Sequence, residues 1–129
     1  MSENTIEQET PIIFLAMFWG GGGPYTISQI VHVYDWINRG TPSREDLELA
    51  LNTLLSLKLI TLQDGKFSVP RNVGKDFDIF RKKKRKSKFT TVRMYFEQFN
   101  PPTDLPNFIE LSEEIYTSEL KKYRKYMES

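Results

Sequence analysis

Residues 43–70 read SREDLELALNTLLSLKLITLQDGKFSVP, and the period of their apolar residues changes once along the stretch. Leu47, Ala50, Leu51, Leu54 and Leu55 recur at helical spacing, which makes one inward stripe and leaves Glu45, Glu48, Asn52, Thr53 and Ser56 facing outward. Ser43 is placed to cap that helix, Asp46 is a short version of the capping-box acid, and Glu45 and Asp46 suit the positive helix end. From Leu59 the reading becomes two short strands, Leu59 to Gln63 and Lys66 to Val69, joined by Asp64-Gly65. A two-residue Asp-Gly link predicts a hairpin with a type I′ turn, both central residues at positive φ. Pro70 closes the second strand.

Upstream, Thr26 and Gln29 form a capping box, with Tyr25 and Ile30 as its hydrophobic staple. The helix they open places Ile27, Ile30, Val31, Tyr34 and Ile37 on one face, and Gly40 is the expected stop. Earlier still, Thr10 and Pro11 predict a helix start, with Thr10 as the cap and Pro11 where its missing N–H costs nothing. Gly20 to Gly23 and Pro24 end that helix in what is expected to be a loose, hinge-like loop. Downstream, Val73, Phe77 and Phe80 mark a helix, and Val92, Tyr95, Phe96 and Phe99 a shorter one that Asn100, Pro101 and Pro102 terminate. Ser112 is placed to cap a last helix with Ile115, Tyr116, Leu120, Tyr123 and Met127 on one face. The expected organisation is mainly α with a small β-hairpin: a flexible N-terminus at 1–9, a domain at 10–70, and a helical extension at 71–129 that packs on it.

Three helices followed by a tight hairpin resemble the winged helix-turn-helix superfamily. The run from Thr26 through Asp35, Asn38, Pro42, Glu45, Leu47, Leu51 and Leu54 to Leu59-Ile60 is similar to small winged-helix proteins of uncharacterised function, and Phe108, Ser112, Tyr116 and Tyr123 are similar to their tails. These are packing and capping residues, so the likeness concerns fold. Lys58 departs from it, because a glycine commonly stands between the third helix and the strand. The resemblance implies a third helix in the DNA major groove and a wing residue on the backbone or minor groove, which nominates Arg44, Asn52 and Lys66. Glu45 and Glu48 share the exposed face of that helix and oppose phosphate binding there.

At 129 residues the chain suffices for one domain with its own core. The absence of cysteine excludes disulfides, thiolate metal sites and a cysteine nucleophile, and a single histidine, His32, excludes a multi-histidine metal site. His32, Asp35 and Asp64 come with no nucleophile or oxyanion loop, and the Gly20 to Gly23 run has no phosphate-loop lysine and no preceding strand. No enzyme, metal, cofactor or small-molecule substrate is expected. The apolar run Ile12 to Trp19 is too short to span a membrane, which takes roughly 20 residues, and Glu3, Glu7 and Glu9 stand where an export signal carries positive charge. A cytoplasmic location is expected.

Net charge is only +1, but it is unevenly spread: residues 1–70 hold four Lys/Arg against eight Asp/Glu, and residues 71–129 hold fourteen against nine. Most of the excess is Arg81, Lys82, Lys83, Lys84, Arg85, Lys86 and Lys88, flanked by Phe80 and Phe89. That density suits duplex DNA or another acidic macromolecule. Val33 and Trp36 form a second stripe on the second helix, expected to meet the C-terminal helices or a second subunit in a homodimer. Two functions compete: DNA binding of the transcription-regulator kind, mainly electrostatic, and a protein-interaction winged helix that binds no DNA. They differ in whether the basic run lies beside the third helix and Lys66 or opposite them.

Overall fold

Gln29 donates its backbone N–H to the Thr26 hydroxyl at 3.2 Å, and its side-chain oxygen accepts the Thr26 N–H at 2.8 Å, so the capping box is closed in both directions. The computed structural model describes residues 9–100 and 108–128. Their order is α1 (Glu9–Trp19), α2 (Ile27–Asn38), α3 (Arg44–Ser56), β1 (Thr61–Gln63), β2 (Lys66–Ser68), α4 (Arg71–Lys84), α5 (Lys88–Phe96) and α6 (Glu113–Glu128). The protein is therefore mainly helical, with one small antiparallel sheet in which Leu62 pairs with Phe67. Asp64 and Gly65 both have positive φ, 53° and 73°, as the Asp-Gly turn requires.

Helix α1 is the centre of the molecule. Thr10 to Met17 are all buried, so its whole circumference is covered. Phe14 and Phe18, one turn apart, meet Phe77 of α4 edge-on at 5.5 and 4.8 Å, and Phe14 also packs on Tyr95 and Phe96 of α5. Helical geometry turns Ile12, Ile13 and Ala16 to the other side, where α2 and α3 pack. The two flanks of α1 thus hold different parts of the chain: α2 and α3 on one, α4 and α5 on the other. Helix α6 lies against α2. Tyr123 donates its hydroxyl to Asp35 there, and Glu119 accepts the Ser28 N–H at 3.1 Å.

Several local expectations are corrected. Thr10 lies within α1 rather than capping it, because Pro11 is tolerated anywhere in a first helical turn and leaves the start free to lie upstream. The expected flexible N-terminus falls, up to residue 8, outside the described residues. Helix α2 stops at Arg39, not Gly40: Arg39 takes the left-handed conformation (φ 52°) and its N–H bonds the Asp35 carbonyl. The glycine loop is pinned rather than loose. Gly22 accepts the Val69 N–H at 2.8 Å, Tyr25 exchanges both backbone bonds with Phe67, and a Cβ on Gly23 would stand 2.6 Å from the Phe67 carbonyl. Leu59 and Ile60 are buried but precede the strand, which begins at Thr61. Ile115 is exposed, so the packed face of α6 is Tyr116, Leu120 and Tyr123; the Met127 side chain lies outside the described residues.

Lys58 stands in the left-handed conformation itself, at φ 61°. Its N–H reaches the Leu55 carbonyl and that of Leu59 reaches Leu54, which is the pair of bonds that closes a helix end. The fold keeps the geometry for which glycine is suited and accepts the strain of a side chain there, about 1 kcal/mol.

Candidate nucleic-acid interface

Arg44, Glu48 and Asn52 are spaced one helical turn apart and make a polar row along α3. That row is occupied by the chain itself. The Asn52 side chain donates to the Ile109 carbonyl at 3.1 Å and accepts the Ile109 N–H at 3.0 Å. Glu48 accepts the Leu111 N–H at 2.7 Å, and Arg44 donates to the Leu111 carbonyl at 2.8 Å. Alternate residues of an extended segment are thus gripped through both of their backbone polar groups, while the Leu111 side chain is buried. Asn52 is only 2% exposed, because Ile109 is bonded across it, and Thr53 is buried as well, in contrast to the outward positions read from the sequence. Arg44 also pairs with Glu45 at 3.0 Å.

The basic run lies on the other flank of α1. Helix α4 carries it at its C-terminal end, and the left-handed Arg85 (φ 54°) turns the chain sharply into Ser87, the cap of α5. Lys82, Lys83, Lys84, Arg85, Lys86 and Lys88 are all exposed. Arg81 is held in place: its guanidinium bonds Asp78 at 2.8 and 2.6 Å and lies 5.2 Å from the Trp19 ring centre and 5.8 Å from that of Phe18. Lys82 bonds the other Asp78 oxygen at 3.0 Å. These two cations, Lys82 first, hold the Asp78 carboxyl below its usual range. Lys84 and Lys88 lie over Phe80 and Phe89 at 5.3 and 5.5 Å. Among the described residues no carboxylate forms an ion pair with Lys83, Lys84, Arg85, Lys86 or Lys88.

Lys66 is exposed on β2, which leads through Pro70 into the opposite end of α4 from the run. The 14 residues of α4 span about 20 Å, so the hairpin and the run do not form one patch. Val33 lines a cavity of about 510 Å³ with His32, Tyr123 and Lys122, so it faces α6, while Trp36 is 71% exposed. His32 packs edge-on to Tyr123 at 5.7 Å. Asp35 is engaged by Tyr123 and Asp64 sits at the hairpin tip, so His32, Asp35 and Asp64 are not brought together. Among the described residues no group of His, Asp or Glu could hold a metal ion, and no helix is long and apolar enough to cross a membrane. Sequence reasoning missed Glu48 as a holder of backbone and Trp19 as a partner of Arg81.

No protein-family model, curated protein or solved structure matches the chain.

Proposed function

We propose that the chain is a winged-helix protein that binds nucleic acid mainly by electrostatics, through the turn between α4 and α5, and that α3 serves the fold rather than base readout. The element order helix, helix, helix, hairpin supports the winged-helix reading. The observation that carries the binding reading is the set of six exposed cations, Lys82 to Lys86 and Lys88, gathered on two helix ends and one sharp turn. Neutralising the cation-condensed phosphates of a nucleic acid needs that density and no base contacts.

Fluorescence anisotropy of the full chain with random duplex DNA at several salt concentrations tests this. If about five cations meet phosphates, log affinity falls with log salt at a slope of about −4 to −5. Changing Lys82, Lys83 and Lys84 together to Ala flattens the slope by up to about three units, and Arg44→Ala leaves it unchanged. Absence of binding at about 50 mM salt overturns the reading. One observation favours the alternative, a protein-interaction module without nucleic-acid binding: the basic run lies across α1 from α3 and at the far end of α4 from Lys66, the placement expected of a chain whose third helix meets protein rather than a duplex.

A further inference from the structure

The cations of the α4–α5 turn do not stand alone. A cavity of about 100 Å³ opens beside them, lined among others by Trp19, Arg81, Lys86, Lys88 and Thr91. Trp19 ends α1 and keeps 40% of its surface exposed, although Thr10 to Met17 of the same helix are buried. The Arg81 guanidinium, 5.2 Å from the ring centre and held by Asp78, adds a second planar group already in position.

A duplex has no use for such a feature, since its base faces are stacked on one another and only its backbone and groove edges meet a protein. A single strand offers unpaired base faces between phosphates, and the groups that take it are aromatic rings and arginine planes set among cations. Resting on the nucleic-acid reading above, we infer that this turn takes single-stranded nucleic acid, with an unpaired base stacked at the Trp19–Arg81 platform and its neighbouring phosphates on Lys86 and Lys88. The platform is ordered before the ligand arrives, so little side-chain freedom is lost on binding. No base-edge readout is built here, and the expected preference is for strandedness rather than sequence.

Trp19 can report directly. In the Trp36→Phe protein it is the sole tryptophan. A labelled oligothymidylate of about 12 nucleotides and a duplex of the same length are titrated at about 50 mM salt, following both ligand anisotropy and tryptophan emission. The single strand is expected to bind more tightly and to quench Trp19, and the duplex to bind without quenching it. Trp19→Leu, which keeps apolar cover over the core, is expected to lose about 10-fold on the single strand and nothing on the duplex, with Trp19→Phe in between. A single strand that binds without quenching, or binds Trp19→Leu as well as the parent at an unchanged melting temperature, overturns the stacking inference. The phosphate grip then still stands if changing Lys82, Lys83 and Lys84 to Ala weakens both ligands. If neither nucleic acid binds, both readings fall.

Discussion

Helix α3 and the end of α4 are both rich in charge, yet one spends its polar groups inside the molecule and the other presents them to solvent. On α3 the row Arg44, Glu48 and Asn52 closes on the backbone of Ile109 and Leu111. On α4 the cations Lys82 to Lys84 run into an exposed turn where, among the described residues, no carboxylate pairs with Lys83 or Lys84. The difference teaches that residue type and helix position do not make a binding face. What matters is whether another part of the chain has already satisfied the groups, since a buried polar group that keeps its partner has nothing left to offer a ligand.

The sharpest way to break this contrast is to cut the α3 grip. Asn52→Ala removes two bonds to a half-buried backbone unit and leaves the Ile109 N–H and carbonyl unpaired, which costs about 3 kcal/mol in denaturant unfolding. Affinity for nucleic acid is expected to stay within about twofold of the parent under folded conditions, because the basic turn lies across α1. Lost affinity in a folded Asn52→Ala protein would join the two regions that the account separates.

A smaller effect is expected where α6 holds α2. Tyr123 donates to the Asp35 carboxylate, and burial followed by that carboxylate pushes its hydroxyl up to about 12. Tyr123→Phe is expected to cost about 2 kcal/mol at pH 7 in denaturant unfolding. The sign with pH follows from the raised value. The protonated phenol is favoured in the folded state, so its stabilisation is complete below pH 10 and is lost as pH rises from there through about 12. The parent should lose stability over that window more steeply than Tyr123→Phe, with the slope of unfolding free energy against pH as the readout. Equal slopes would show that this contact does not titrate with the fold.

The smallest effect is local. Lys58→Gly relieves a left-handed side-chain residue at the end of α3 and should raise unfolding free energy by about 1 kcal/mol, leaving nucleic-acid affinity unchanged. A destabilised Lys58→Gly protein would mean that the Lys58 side chain contributes more than its backbone strain removes.

Those features were legible in unequal measure. Thr26 with Gln29, Ser43, Ser112 and Asp64-Gly65 act within a few residues, so their outcome could be read from spacing alone. The basic run was legible as charge, and the exposure of six of its seven cations agrees with what such a density requires. The burial of Asn52 was not legible. Its cover comes from residues 57 positions later, and Phe108 to Leu111 carries neither a helical nor an alternating pattern strong enough to announce an extended segment. The glycine loop misled because glycine signals freedom of φ, while here Gly22 and Gly23 use positive φ to bring the backbone close to Val69 and Phe67. Arg39 and Arg85 likewise take left-handed positions that composition assigns to glycine. The pairing of Trp19 with Arg81 joins two helices far apart in sequence and has no local signal at all.

The central claim, that function resides on the α4–α5 turn and not on α3, is tested most directly by mapping backbone amide shifts of the isotope-labelled full chain during titration with nucleic acid at low salt. The account expects shifts at residues 81–91 and at the end of α1 around Trp19, with Arg44 to Asn52 and Ile109 to Leu111 unmoved. Shifts concentrated on Arg44 to Asn52, or loss of the Ile109 and Leu111 signals as the ligand is added, would contradict it.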